Sequence, residues 1–148
     1  MLTVRHATLT DVDALLRLVR EFITTTPYAR FLRVHEPALR PFVGFLVERG
    51  PFFVAVQGDQ LVGFIAGAAG EEPIGGTKML DELAWWVDPS YRNARTGPKL
   101  LGAFEDWALE HGVDALTMKE PKDSGVGVFY KHNGFEPVET VWFKRLRG

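Results

Sequence analysis

Hydrophobic positions change their spacing several times along this chain, and each change marks an element. Leu2, Val4 and His6 alternate with Thr3, Arg5 and Ala7, the two-residue period of a strand with one buried face. From Thr10-Asp11-Val12-Asp13 onward, Val12, Leu15, Leu16, Val19, Phe22 and Ile23 recur at threes and fours, which predicts an amphipathic helix capped by Thr10. The period breaks over residues 24–31 and resumes at Leu39, Phe42, Val43, Leu46 and Val47. Pro37 and Pro41 blur the start of this second helix, since proline suits only a first turn. Gly50-Pro51 stops it, and residues 52–56 and 61–66, joined at Gly58-Asp59, read as a hairpin. Residues 77–87 form a strand whose far end is apolar on both sides, as a covered central strand is. A helix follows from Gly97-Pro98, with Leu100, Leu101, Phe104, Trp107 and Ala108 as its stripe and Gly112 as its stop. Residues 113–118 are again a strand, Ser124 is placed to cap a short helix through His132, and residues 135–146 return as a last extended segment bent at Pro137. The predicted order is β-α-α-β-β-β-α-β-α-β. No linker, repeat or low-complexity tract interrupts it, so one α+β domain is expected over residues 1–148.

Composition narrows the chemistry. The 148 residues are 46% hydrophobic and contain no cysteine, which excludes disulfide scaffolds, cysteine-ligated metals and a cysteine nucleophile. The net charge of −2 provides no global field for a polyanion, so nucleic acid is not an expected partner. No apolar stretch approaches the ~20 residues that span a bilayer and the amino terminus has no apolar leader core, so no membrane is expected and a cytoplasmic location is. Ser90 and Ser124 lie outside any Gly-x-Ser-x-Gly context, and His6, His35, His111 and His132 form no His-x-x-x-His pair; serine hydrolysis and a bound metal are both disfavoured.

Two segments carry positive signals. In the strand-loop-helix of residues 86–101, Arg92, Arg95 and Lys99 surround a helix amino terminus, where unsatisfied N–H groups and the positive dipole end suit a phosphate or pyrophosphate. Ordinary solvated loop charges would look the same. In Phe129-Tyr130-Lys131-His132-Asn133-Gly134-Phe135, Phe129 and Phe135 suit a core, while Tyr130 is either a packing residue or, near a cleft, a neutral proton donor.

Together, Val87-Asp88-Pro89-Ser90-Tyr91-Arg92-x-x-Arg95-x-Gly97 and, some thirty residues later, Phe129-Tyr130-x-x-x-Gly134-Phe135 resemble the GNAT superfamily of acetyl-CoA-dependent N-acetyltransferases, and the element order fits along the whole length. The resemblance implies the GNAT fold, a mixed and mostly antiparallel sheet with helices on both faces. It also implies acetyl-CoA as co-substrate and an amine acceptor. The family pattern is Arg/Gln-x-x-Gly-x-Gly/Ala; Arg92 and Gly97 match, and Arg95 stands where the middle glycine is usual. By this likeness Arg92, Asn93, Ala94, Arg95, Thr96, Gly97, Pro98 and Lys99 would hold the pyrophosphate. The pantetheine arm would lie between the two strands of residues 81–87 and 113–118, against Trp85, Trp86 and Val87, with Ser124 and Phe129 nearby. Tyr130 would act as general acid on the leaving thiolate. The family's fourth-strand carboxylate falls on Asp81, with Glu82 adjacent; strand alternation aims only one of them at the cleft, and a bulge would exchange them.

Acceptor selection is expected in residues 24–35, where Tyr28, Arg30, Phe31 and Arg33 combine aromatic and cationic character, and at the Trp142 end of the last segment. Such a lining suits an acceptor bearing a carboxylate or phosphate better than a polycation. Without a cysteine, direct transfer rather than an acetyl-cysteine relay is expected. Two other readings stay open: a catalytically silent coenzyme A-binding module of the same fold, and an unrelated α+β domain that takes another phosphate ligand at Gly97. The acceptor's identity and a monomer or homodimer state are both open.

Overall fold

A computed structural model describes residues 1–93 and 95–148; Ala94 lies outside the described residues. Five strands form one sheet in sequence order: β1 (Leu2–His6), β2 (Phe52–Gln57), β3 (Gln60–Glu71), β4 (Lys78–Val87) and β5 (Ala115–Thr117). The first four pair antiparallel, and β4 pairs with β5 in parallel. This is the mixed, mostly antiparallel sheet expected from the sequence.

Helices cover both faces. On one face α1 (Val12–Thr24) and α2 (Glu36–Arg49) lay Leu15, Leu18, Phe22, Val43 and Leu46 over Phe52, Val54, Phe64 and Trp86. On the other, α3 (Thr96–Glu110) lays Leu100, Leu101, Phe104 and Ala108 over Val62, Ile65, Leu80 and Val87. Each buried side chain of this size contributes roughly 1.5–3 kcal/mol over an exposed one, so the two apolar layers clamp the sheet and fix where β4 runs.

Three local expectations change. The turn before α1 is capped by Thr8 and Asp11 rather than Thr10: Asp11 accepts from the Thr8 N–H at 2.8 Å and is held by Arg5 at 2.8 and 3.0 Å. Ser124 gives only a long 3.4 Å contact to the Val126 N–H, while Glu120 accepts from the Gly127 N–H at 2.8 Å where the short helix α4 (Gly127–His132) begins. The carboxylate reaches the first helical amide from outside the turn, and the serine hydroxyl does not. Finally, the predicted last strand over residues 135–146 does not join the sheet. Its side chains Val138, Val141, Trp142 and Leu146 stand exposed, and the segment is tied instead to the link between α1 and α2, where Arg145 donates to the Phe31 carbonyl at 2.6 Å and Phe143 packs on Phe31 with centroids 4.8 Å apart.

The β4–β5 pairing is short. It holds only Met79↔Ala115, Leu80↔Leu116 and Asp81↔Thr117, and beyond Asp81 the two chains part. That parting opens the site.

Candidate active site at the parting of two strands

The register of β3 on β4 slips where the strands separate: Ala66 faces Ala84, Gly67 faces Glu82, and Leu83 is the extra residue. A bulge of this kind disturbs the two-residue alternation and re-aims a side chain. Asp81 is left exposed, accepting a hydrogen bond from the Thr117 hydroxyl, while Glu82 is only 3% exposed. Gly67 is required here, because a Cβ on it would stand 2.6 Å from Phe104 Cζ and 2.7 Å from the Asp81 carbonyl oxygen. Absence of a side chain lets α3 press against the bulge.

Glu82 lies in a cleft of about 290 Å³, together with Trp85, Trp86, Val87, Arg92, Lys119 and Tyr130. Lys119, just past β5, organises it. Its backbone N–H donates to Glu82 Oε1 at 3.0 Å, its ammonium donates to the Glu82 carbonyl, and its own carbonyl accepts from the Tyr130 hydroxyl at 2.8 Å. One residue thus holds both the carboxylate and the phenol. Burial pushes the Glu82 carboxyl up to about 6, against the pull of the Lys119 N–H and charge. Burial, with the nearby carboxylates of Glu82 and Glu120, holds the Tyr130 hydroxyl far above its ordinary range, so it is a proton donor and never a phenolate at neutral pH. Tyr28 is shifted upward too, by burial and then by the Glu82 charge, which places its ring within electrostatic reach of the carboxylate.

At the mouth of the cleft, the Arg92 Nε donates to the Val87 carbonyl at 2.7 Å and its guanidinium lies 5.6 Å from the Trp86 ring centroid. Asn93 Oδ1 accepts from the Arg95 and Thr96 N–H groups at 2.8 and 3.2 Å, satisfying the first amides of α3. Arg95 has φ −112°, an ordinary backbone conformation, and is exposed; the position does not require glycine. Gly97 lines the cleft, Thr96 is fully buried beneath it, and Pro98 and Lys99 face solvent. Among the described residues no ion pair engages Arg92, Arg95 or Lys99.

The remaining sequence candidates are distributed around this centre. Ser124 lines the cleft, whereas Phe129 packs behind it on Trp85, with centroids 5.8 Å apart. Tyr28 packs on Phe22 at 5.4 Å, and Arg30 and Phe31 line a second, larger cavity. Sequence reasoning did not single out Lys119 in the cleft or Arg145 in the second cavity, and it included Thr26 only as part of residues 24–35. For Lys119 there was a signal, since a parallel partner to the fourth strand must end opposite its carboxylates. For Arg145 the only pointer was its nearness to Trp142.

The profile of the acetyltransferase (GNAT) family matches residues 16–135. Among curated proteins none matches the sequence. Among solved structures, an aminoglycoside acetyltransferase from an uncultured soil metagenomic sample superposes with a TM-score of 0.78 at 18% identity, over 99% of this chain and 97% of that one. A predicted acetyltransferase of Clostridium acetobutylicum, in a structure with acetyl-CoA, gives 0.78 at 16% identity over 99% and 97%. The ribosomal-protein-alanine N-acetyltransferase of Brucella melitensis gives 0.74 at 18% identity over 98% and 99%. At these identities the likeness is one of fold.

Proposed function

The chain belongs to the acetyltransferase (GNAT) family, and from that premise we propose that it transfers the acetyl group of acetyl-CoA directly to a primary amine, with Glu82 as base and Tyr130 as acid. Two features of the chain fit the donor. Beyond Asp81, among the described residues, the outer edge of β4 has no strand beside it, so Leu83 to Val87 offer backbone groups along an open slot of the kind an extended amide-bearing arm fills. At the end of that slot stand Arg92 and the amino terminus of α3, with Arg95 and Lys99 adding positive charge suited to a pyrophosphate. Asn93 Oδ1 accepts from the Arg95 and Thr96 N–H groups at the start of α3, and a ligand that takes them would have to displace it.

When bound, acetyl-CoA supplies an activated thioester carbonyl and a thiol leaving group. The protein supplies the proton movements. An amine of ordinary pKa near ~10 is protonated at neutral pH and is not a nucleophile until it loses that proton. Glu82, with a pKa of about 6, is ionised at pH 7 yet basic enough to accept it, directly or through one water. Tyr130 turns its hydroxyl from the Lys119 carbonyl to the sulfur and gives it a proton as the carbon–sulfur bond breaks and the carbon–nitrogen bond forms. The second amine proton then replaces the one the tyrosine gave up, and Glu82 releases its proton to solvent, so the cycle closes with one proton released per ammonium consumed. Lys119 keeps both groups in register.

The observation that carries this reading is the shared Lys119 backbone linking a buried carboxylate and a buried phenol in one cleft. Mass spectrometry after incubation with acetyl-CoA and a panel of amines tests it. An acetylated amine and free coenzyme A in equal amounts are expected; coenzyme A binding with no acetylated product for any amine would leave a silent binding module instead.

A further inference from the structure

The second cavity, about 830 Å³, is built where two distant parts of the chain meet: the link between α1 and α2 supplies Arg30, Phe31 and Arg33, and the terminal segment supplies Arg145. Ala29, Leu32 and the main chain of Gly148, the last residue of the sequence, complete the lining, which holds no acidic side chain, and among the described residues none of these three arginines is in an ion pair. Two of the cationic heads are positioned by other contacts, and Arg33 is exposed. The Arg30 guanidinium lies 5.5 Å from the Phe31 ring centroid, and Arg145 both donates to the Phe31 carbonyl at 2.6 Å and lies 5.7 Å from the Phe143 ring. Three like charges gathered around a concave space repel one another unless an anion enters, and a guanidinium takes a carboxylate or phosphate through paired hydrogen bonds. The size is that of a small-molecule site.

The link joins this cavity to the cleft. Thr26 lines the cleft, Tyr28 feels the Glu82 charge, and Arg30 closes the same single 3₁₀ turn, Pro27–Arg30. At about 2 Å of rise per residue, Thr26 and Arg30 lie on the order of 8 Å apart along the turn. Building on the acetyltransferase reading above, we propose that the acceptor is a small amine carrying a carboxylate or phosphate several bonds from its nitrogen, the anion seated among Arg30, Arg33 and Arg145 and the amine directed along the turn to Glu82. The terminal segment, instead of adding a strand, serves as one wall of the acceptor pocket.

The test is a series of ω-amino acids of increasing chain length, each paired with its neutral amide and with the diamine of equal length, and an aminoalkyl phosphate to separate the two anions. The carboxylate or phosphate member is expected to exceed its neutral and diamine partners at least tenfold in kcat/KM at a preferred length. Arg30→Met, Arg33→Met and Arg145→Met are each expected to erode that ratio by raising the acceptor KM while leaving the acetyl-CoA KM unchanged. Calorimetric titration of the same carboxylates into the protein with coenzyme A reads the pocket without turnover, and binding weakened by Arg33→Met supports the assignment. Neutral amines or diamines acetylated as well as the carboxylates and the aminoalkyl phosphate, or binding of neither anion, would overturn it while the acetyltransferase reading stands. Absence of coenzyme A binding would instead remove the reading on which it rests.

Discussion

The cleft around Glu82 and the arginine-lined cavity, which we propose as the two ends of one catalytic region, are linked by a single turn of chain, yet the sheet builds one and surface contacts build the other. At the donor end, Glu82 sits on a strand clamped between two apolar layers, the Lys119 N–H donates to its carboxylate at 3.0 Å, and the Lys119 carbonyl accepts from the Tyr130 hydroxyl at 2.8 Å. At the proposed acceptor end, Arg30 closes a short turn, Arg33 follows it, and Arg145 stands on an exposed terminal segment tied to that link by a hydrogen bond to the Phe31 carbonyl and a Phe31–Phe143 contact. Groups that move protons need positions held to fractions of an ångström, because proton transfer fails when the reacting atoms drift from hydrogen-bond reach. Groups that select a substrate tolerate more variation. The same reaction can therefore serve different acceptors by changing the second region alone.

The largest effect should come at the donor end and should not depend on the acceptor. Glu82→Gln keeps the shape and still accepts from the Lys119 N–H, but removes the base, and kcat should fall by about 10²–10⁴-fold for every amine at neutral pH. A loss confined to one acceptor would move Glu82 into substrate recognition. Tyr130→Phe comes next, with turnover lower by about 10²-fold and acetyl-CoA affinity little changed, read by steady-state kinetics and by titration with coenzyme A.

The same glutamate makes a stability prediction of opposite sign. Its carboxyl has a pKa of about 6 in the fold against 4.5 in the unfolded chain, so the native state holds the proton more tightly. Stability associated with it is fully present below pH 4.5 and is lost as pH rises through 6, at a cost of about 2 kcal/mol above that. Glu82→Gln should therefore raise the unfolding free energy by about 2 kcal/mol at pH 8 and have little effect near pH 4, measured by denaturant titration at the two pH values. Smallest is Arg92→Ala, which should weaken coenzyme A binding by about tenfold and change the melting temperature little, since Arg92 is an exposed residue that gives up one hydrogen bond to the Val87 carbonyl and its contact with the Trp86 ring.

These two regions also differ in how far the sequence disclosed them. Strands and helices of the donor end follow from period: the apolar run at Ala84 to Val87 and the stripe Leu100, Leu101, Phe104 are local patterns with local causes. The loop proposed for the pyrophosphate stood out by its residues, Arg92 to Gly97, and the backbone at Arg95, φ −112°, is one that any residue adopts. Which carboxylate enters the cleft was not visible, since it depends on the slip at Leu83, and that slip is set by the pairing of β3 with β4 rather than by the residues around it. The acceptor end was half visible. Arg30 and Phe31 stood out by type, but Arg145 comes from 114 positions further on, and the alternation of residues 135–146 pointed to a strand that lacks a partner in the sheet. Periodicity records which face of a segment is apolar; it does not record which edge will receive it.

The central claim is that Glu82 receives the amine proton, and the pH dependence of kcat/KM for acetylation tests it most directly, compared between the wild-type protein and Glu82→Gln. The wild type should lose activity below a pKa of about 6, and the variant's residual rate should show no such limb. An acidic limb near 6 that persists unchanged in the variant would place the base elsewhere.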